Sequence, residues 1–150
     1  MALGGFTESI RLNSAAILQQ VNKEVYRIAW ELFTSVVILT PSPSQPGRFA
    51  KGVLANQWYP STGSGVSTSG TSASNTGSES LARINAIVKG KEFLGKDGRL
   101  TLSNNVPYAY NAEVEGWNPP TWSGKVKAYR MVARSLMAVA ARNKVKRITT

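Results

Sequence analysis

The side chains that most often carry out chemistry are scarce in this sequence. It contains no His, no Cys, a single Asp at Asp97, and seven Glu. Without His, the chain lacks the commonest general base near neutral pH and the commonest metal ligand. Without Cys it has no thiolate nucleophile, no thiolate metal site and no disulfide, and its serines have no His to activate them. The sequence therefore predicts a protein that is not an enzyme, with no catalytic residues, no metal site and no cofactor.

One segment imitates a phosphate-binding loop. Residues 90–97 read GKEFLGKD, which resembles the glycine-rich loop of nucleotide-binding proteins. Asp97 stands where that loop needs Ser or Thr to hold magnesium, and Glu92 would repel a phosphate. The pair Asp97-Gly98 is instead typical of a β-hairpin turn, so we interpret this segment as a hairpin.

The positive charge is concentrated at the end of the chain. The net charge is +10; residues 1–116 carry ten basic and eight acidic side chains, whereas residues 117–150 carry eight basic side chains and no acidic one. Such an end favours contact with DNA phosphates or with an acidic protein, or forms a solvated face. The candidate contact residues are Lys127, Arg130, Arg134, Arg142, Lys144, Lys146 and Arg147. No base-reading motif accompanies them, so any contact with DNA is expected to be non-specific.

Aromatic residues are the second group with functional potential. They are Trp58, Tyr59, Tyr108, Tyr110, Trp117 and Trp122. Aromatic rings can stack on the bases of single-stranded nucleic acid, but Trp and Tyr are also preferred anchors in protein interfaces. We favour a core or interface role.

These residues must be positioned by a small set of elements within one domain, residues 1–150. Apolar residues from Ile17 to Val36 recur every three or four positions and predict a long helix over Asn13–Leu39, capped by Asn13 or Ser14 and stopped by Pro41. Val53–Tyr59 is predicted as a strand. Residues 60–80 are rich in Ser, Thr and Gly and are predicted to form a mobile loop.

The second half alternates short elements and turns. A capping box at Thr76–Glu79 predicts a short helix that ends at Gly90. The hairpin follows, with strands at Lys91–Leu94 and Arg99–Ser103. Tyr108–Val114 is predicted as a short helix or strand, and Gly116–Gly124 as a loop.

The last predicted element is a helix over Gly124–Arg142, followed by a frayed basic tail at 143–150. Its apolar face would include Val126, Tyr129, Leu136 and Ala140. The fold class is therefore α+β: a long N-terminal helix, a small antiparallel sheet with a hairpin, a short middle helix and a C-terminal helix. No apolar run is long enough to span a bilayer and the N-terminus lacks a signal-peptide pattern, so no membrane association is expected.

Two stretches resemble the neck or tail-completion proteins of tailed phages, which are components of the head–tail connector. The stronger runs from Leu102 to Ala109 (LSNNVPYA) and is followed by Glu115-Gly116, then a loop containing Pro and Gly and a last helix. Glu113 is an alternative counterpart of Glu115. The weaker runs from Pro43 to Phe49 (PSQPGRF), with Asn56-Gln57-Trp58 after it. Gln45 and Pro46 stand where the family has Asp and Thr.

The resemblance implies a structural virion protein that forms a homo-oligomeric ring, with a hexamer as the expected size. The ring would lie between the portal–adaptor complex and the tail or tail-terminator protein, after assembly in the host cytoplasm, and DNA would pass through it. The assembly residues implied are Arg48, Trp58, Asn104, Asn105, Pro107, Tyr108, Glu115, Gly116, Trp117 and Trp122. A tail-terminator or head-closure ring protein and a non-specific nucleic-acid-binding protein are the alternatives.

Overall fold

The computed structural model describes residues 2–40, 53–72, 74, 76–89, 91, 98–107, 109–116 and 128–148, with side chains described between residues 16 and 143. The α+β class is confirmed. The elements in chain order are α1 (Ala2–Leu39), α2 (Val53–Asn56), β1 (Trp58–Thr62), α3 (Ser78–Ile87), β2 (Leu100–Asn104), a π-helical turn (Asn111–Glu115) and α4 (Met131–Ile148).

Helix α1 is longer than the sequence pattern predicts. It begins at Ala2 rather than at Asn13 or Ser14, so these two residues lie inside the helix and are not its cap. No Pro interrupts residues 2–39, and Gly4 and Gly5 weaken a helix by only about 1 kcal/mol each. The helix ends at Leu39 as predicted, two residues before Pro41. Its 38 residues correspond to a length of about 57 Å at 1.5 Å per residue.

The core lies against the C-terminal half of α1. The α1 residues of this core are Tyr26, Ala29, Phe33, Val36 and Val37. They recur every three or four positions and therefore share one face of the helix. Side chains from α2, β1, α3 and α4 and from Val88, which follows α3, complete the cluster; among them are Leu54, Trp58, Ile84 and Met131.

The predicted strand at Val53–Tyr59 is wrong in its first half. Val53–Asn56 forms one helical turn, and strand β1 begins at Trp58. Five consecutive residues, 54–58, are buried, which does not match the alternating burial of a strand exposed on one face. The turn is held by Asn104, whose Nδ2 donates to the Leu54 carbonyl at 2.9 Å.

Among the described residues the sheet has two antiparallel strands, β1 and β2, with Trp58 opposite Asn104 and Thr62 opposite Leu100. The second strand of the predicted hairpin is confirmed as β2, and β1 is its partner. The first predicted hairpin strand lies, apart from Lys91, outside the described residues.

Helix α3 matches the predicted short helix, but the capping box does not form. The N-cap residue is Gly77 at φ 66°, and Thr76 provides no side-chain cap. The buried amide of Asn56 caps one of the first N–H groups of the helix instead, because its Oδ1 accepts from the Glu79 backbone N–H at 3.0 Å. A partner distant in sequence thus replaces the local cap, which periodicity alone cannot predict.

The Ser/Thr/Gly-rich segment is not a free loop where it is described. Its first residues, Pro60–Thr62, belong to β1, and its last, Ser78–Ser80, to α3. Residues 63–72, which we name the strap, are bound to the rest of the chain by side-chain amides. Asn105 Nδ2 donates to the carbonyls of Val66 and Thr68, and Gln57 Nε2 donates to the Ser72 carbonyl. Polar side chains rather than apolar burial thus connect the strap to the rest of the chain, and the mobility expected of this segment stays a prediction.

Helix α4 begins at Met131, later than the predicted Gly124, because Glu113 caps it there. The two oxygens of this carboxylate accept from the backbone N–H groups of Val132 and Ala133 at 3.0 and 3.1 Å. A carboxylate at this position satisfies free N–H groups and complements the helix dipole. The helical alternative for Tyr108–Val114 is confirmed, since residues 109–115 are helical and end in the π-helical turn.

The buried face of α4 differs from the prediction. Met131, Ser135 and Val139 are buried, whereas Leu136 is half exposed and Ala140 is exposed. These buried residues are spaced by four, one helical turn apart. The backbone stays helical to Ile148, so residues 143–148 are not a frayed tail. Asn143 anchors this end, because its Oδ1 accepts from Arg27 at 2.6 Å and its Nδ2 donates to the Val139 carbonyl.

Candidate assembly surface

Asn104 and Asn105, the Asn-Asn pair of the phage-like motif, form hydrogen bonds with other segments of the same chain. Asn104 holds α2 through the Leu54 carbonyl, and its Oδ1 accepts from the Val106 N–H at 3.2 Å. Asn105 is exposed but holds the strap at 2.6 and 3.0 Å. The motif thus connects the sheet, α2 and the strap within one chain.

The other predicted assembly residues lie in different environments. Trp58 is buried in the core, where its Nε1 donates to Thr40 Oγ1 at 3.1 Å. Pro107 and Glu115 are exposed, and Gly116 is buried at φ 66°. Four residues lie outside the described parts of the chain, namely Arg48, Tyr108, Trp117 and Trp122.

The predicted basic face is only partly assembled by α4. Arg134 and Arg142 are exposed on the helix, whereas Arg130 precedes it with φ 52°. Arg130 therefore does not continue a helical row with Arg134, because the helix starts after it. Lys127 lies outside the described residues, and the side chains of Lys144, Lys146 and Arg147 are not among those described.

Helix α1 carries an exposed apolar stripe that precedes the core residues in the chain. Ile17, Leu18, Val21 and Val25 are 64%, 63%, 51% and 36% exposed. We name these four residues the α1 stripe; their spacing places them on one side of the helix. Helix α4 touches α1 at Arg27 through Asn143 and ends five residues later, about 8 Å further along its axis. The stripe begins ten residues before Arg27, so α4 does not cover all of it.

A groove lies between α1 and α4. Its volume is about 390 Å³, and its lining residues are Trp30, Glu31, Thr34, Ser35, Ile38, Leu39 and Arg142. We name it the α1–α4 groove. It combines aromatic and aliphatic walls with two hydroxyls, a carboxylate and a guanidinium.

The polar groups of this groove are incompletely bonded. Glu31 Oε1 accepts from Arg27 at 2.7 Å, but Glu31 Oε2 and Thr34 Oγ1 are buried without a hydrogen-bond partner among the described residues. Arg27 also bonds Glu24, and this hydrogen bond is the main cause that raises the pKa of Arg27, against the opposing effect of burial.

Burial raises the pKa of Tyr129, which packs against the core beside the start of α4.

A ridge of exposed apolar side chains lies elsewhere on the surface. Tyr110 is 62% exposed and Val114 is 48% exposed. They are four residues apart in a helical segment and therefore neighbours on its surface. We name these two residues the Tyr110 ridge. The aromatic residue Tyr110 in a short segment was the sequence signal for this ridge. The neighbouring sequence does not indicate that Tyr110 is exposed whereas Trp58 is buried.

Two further kinds of site are absent from the part of the chain that the structure describes. No group of three or more His, Cys, Asp or Glu residues there is placed to hold a metal ion. Within the described helices, none has the length and apolar character required to cross a bilayer.

Comparison with known proteins yields no relative from which a function can be transferred. No family model matches the chain, and no curated protein and no solved structure matches it at a significant level.

Proposed function

We propose that this chain is a structural virion protein of a tailed phage that assembles with copies of itself into a ring at the head–tail junction. In this role it acts as a neck or tail-completion subunit between the portal–adaptor complex and the tail, and DNA passes through the ring. Tail terminator and head closure are neighbouring roles that require the same property, which is self-association.

The observation that carries the proposal is the α1 stripe. Four aliphatic side chains lie in contact with water on a helix about 57 Å long. Burying such a side chain contributes about 1.5–3 kcal/mol relative to full exposure. A contiguous exposed apolar surface is typical of a protein–protein contact.

Composition supports a binding role rather than a chemical one. The absence of His and Cys removes the usual groups for proton transfer and covalent catalysis. The order of motifs around Asn104, Asn105 and Glu115 resembles that of neck proteins. Glu113, the alternative counterpart of Glu115, caps α4.

Self-association of the purified full-length chain tests the proposal. Light scattering coupled to gel filtration is expected to show an oligomer, and electron microscopy is expected to show rings. In phage particles, quantitative mass spectrometry should find about six copies. A chain that stays monomeric at every concentration and is absent from particles would refute the proposal.

Charged substitutions in the α1 stripe test whether this exposed apolar surface mediates self-association. The double variant Leu18→Glu with Val21→Glu is expected to retain its circular dichroism spectrum but to lose self-association, because two carboxylates replace the apolar contact. Ala16→Glu is the matched control, since Ala16 is exposed on the other side of the helix. Equal loss of assembly in the control would remove the stripe as the contact surface.

Non-specific binding of nucleic acid is the second candidate. The exposed guanidinium groups of Arg134 and Arg142 on α4 favour it, together with the net positive charge of +10. DNA affinity should then fall steeply as salt increases, and neutralising both arginines to Gln should flatten this dependence. No measurable binding to duplex DNA at low salt would exclude this role.

A further inference from the structure

We propose that the outer face of the β1–β2 sheet is a binding groove for a non-helical, uncharged segment of a partner chain that is rich in Gly and Ser. The strap occupies this groove in the structure and is displaced when the partner segment binds. The inference does not rest on self-association, because the contacts that carry it lie within one chain.

The two faces of the sheet differ in chemistry. Leu102 of β2 packs against the core. Successive residues of a strand point to opposite faces, so Thr101 and Ser103 lie on the outer face, with Ser61 and Tyr59 of β1 opposite them. This face therefore offers hydroxyl groups and one aromatic ring to the segment that lies on it.

The strap is bound to this region through its backbone carbonyls. Three side chains donate to four of these carbonyls, which belong to Gly63, Val66, Thr68 and Ser72. The donors are Thr101 Oγ1, Asn105 Nδ2 and Gln57 Nε2, and we name them the groove donors. Asn105 bonds two carbonyls, at 2.6 and 3.0 Å. Because every peptide unit has a carbonyl, these donors recognise main chain rather than one particular sequence.

The groove donors are positioned by bonds that do not involve the strap. Gln57 is fully buried, and its Oε1 accepts from the Tyr59 hydroxyl at 2.9 Å. Arg83 lies over the Tyr59 ring, 4.1 Å from its centroid, and donates to the carbonyls of Asn56 and Trp58. A site whose donors are already fixed loses less entropy when a ligand binds.

Two glycines of the strap lie closest to the groove. A Cβ added at Gly65 would lie 2.5 Å from Ser103 Oγ, and one added at Gly70 would lie 2.9 Å from Gln57 Oε1. A larger residue at either position would therefore push the segment away from the sheet. The partner segment needs glycine at two positions that are five residues apart.

One side chain of the strap is also recognised. Ser72 Oγ donates to Glu79 Oε2 at 2.9 Å and accepts from Gln57 Nε2 at 2.8 Å. A hydroxyl group combines both roles in one atom. Ser67 and Ser69, in contrast, are exposed. The groove therefore fits the pattern Gly-x-x-x-x-Gly-x-Ser, with free choice of small polar residues between these positions.

The strap is a weakly held occupant. Val66 is its one aliphatic residue and is only half buried, so apolar burial contributes little. Each hydrogen bond contributes about 0.5–1.5 kcal/mol net, whereas ordering the backbone of one residue costs about 1–2 kcal/mol. The bound and released strap are thus close in free energy. A partner segment that makes the same contacts replaces the strap, and a larger contact elsewhere would raise its local concentration.

The test opens the groove and supplies the segment as a peptide. The double variant Gly65→Val, Gly70→Val releases the strap without altering a groove donor. The probe is a synthetic peptide with the sequence of residues 63–72, GSGVSTSGTS. In nuclear magnetic resonance titrations, the side-chain amide signals of Asn105 and Gln57 in the variant should shift toward their positions in the natural chain. We expect a dissociation constant in the millimolar range, and binding about tenfold weaker to the natural chain, whose own strap competes.

Two matched controls separate groove binding from general effects. The variant Ser67→Val, Ser69→Val introduces the same side chains at exposed strap positions, so it should respond to the peptide as the natural chain does. A peptide with valine in place of both glycines should give no shift with the open variant. Proteinase K should cleave the strap faster in the glycine variant than in the serine variant, because only the former is open.

Three outcomes would overturn the inference: no shift of either amide in the open variant, equal binding of the valine peptide, or unchanged cleavage of the strap after both glycine substitutions. If the glycine variant loses its circular dichroism spectrum, the same titration on Ser72→Ala decides, since this change loosens the strap and adds no volume. Peptide binding by a chain that stays monomeric would leave this inference standing while the proposed function fails.

Discussion

Gly77 adopts φ 66° at the point where α3 starts, beside α1 and α2. A Cβ added there would lie 2.5 Å from Val37 Cγ1 and 2.9 Å from the Ala55 carbonyl oxygen. Both the positive φ and the close approach of a neighbouring backbone require a residue without a side chain. The residue thus permits α3 to pack directly on the core.

Replacing this glycine should destabilise the fold strongly. Gly77→Ala is expected to lower the free energy of unfolding by about 3 kcal/mol, from left-handed strain and overpacking together. Gly98→Ala is the control, since Gly98 has φ 55° but the added Cβ would meet no atom of the described residues beyond its chain neighbours within 4 Å. It should cost only about 1 kcal/mol. Equal losses in urea unfolding would show that contact with Val37 and Ala55 is unimportant.

Because of Tyr129, the free energy of unfolding is expected to fall at alkaline pH. Burial raises the pKa of its hydroxyl above the ordinary tyrosine value, because the phenolate is poorly solvated there. The stabilisation is therefore fully present below about pH 10 and is lost as pH rises through the folded-state pKa. Tyr129→Phe should reduce the fall in unfolding free energy above pH 10, measured by urea titration. An identical alkaline fall in natural chain and variant would contradict this assignment.

At the scale of elements, segments distant in sequence complete one another's ends. Glu113 caps α4, Asn56 supplies an acceptor at the start of α3, and Asn104 holds α2. Each of these side chains bonds a backbone group of another element, and that group has no hydrogen-bond partner within its own element. The short elements are therefore stable through tertiary contacts rather than through local propensity.

Removing the cap of α4 tests this arrangement. Glu113→Ala is expected to lower the free energy of unfolding by about 1 kcal/mol, as for other helix caps. Glu115→Ala should change it by less than about 0.5 kcal/mol, because Glu115 is exposed in the same turn. The comparison is made by urea unfolding, and a larger loss for Glu115 would contradict the capping role.

The strap allows a second test at this scale. Asn105→Ala removes the donor to the carbonyls of Val66 and Thr68. We expect faster cleavage of residues 63–72 by proteinase K, with little change in the unfolding midpoint, since the strap buries few apolar groups. Thr68→Ala should leave cleavage unchanged, because the bond uses its backbone carbonyl. Equal cleavage rates in both variants would show that Asn105 does not hold the strap.

At the scale of the whole molecule, the proposed self-association through the exposed α1 stripe would couple stability to concentration. If copies bury the stripe on one another, the assembled state is favoured by mass action. The thermal midpoint of the natural chain should rise by about 5 °C over a hundredfold increase in concentration. The midpoint of the Leu18→Glu, Val21→Glu variant should stay constant. A concentration-independent midpoint in the natural chain would contradict self-association through this surface.

The elements were predictable where their signals are local. Helical periodicity and Pro41 predicted α1 and its end, and a short helix was predicted where α3 lies. The candidate surface was less predictable, since Ile17 and Val36 belong to the same apolar pattern although one is exposed and the other buried. Periodicity reports which residues share a face but not whether another element covers it.

The sequence by itself determined the mixed α+β class, the scarcity of catalytic side chains and the positive charge of the chain's end, because these follow from composition and short-range pattern. Only the tertiary structure decided that residues 63–72 are bound, that Glu113 caps α4, and which apolar residues of α1 remain exposed. These outcomes depend on groups separated by many residues, whose hydrogen bonds and packing have no local signature in the chain.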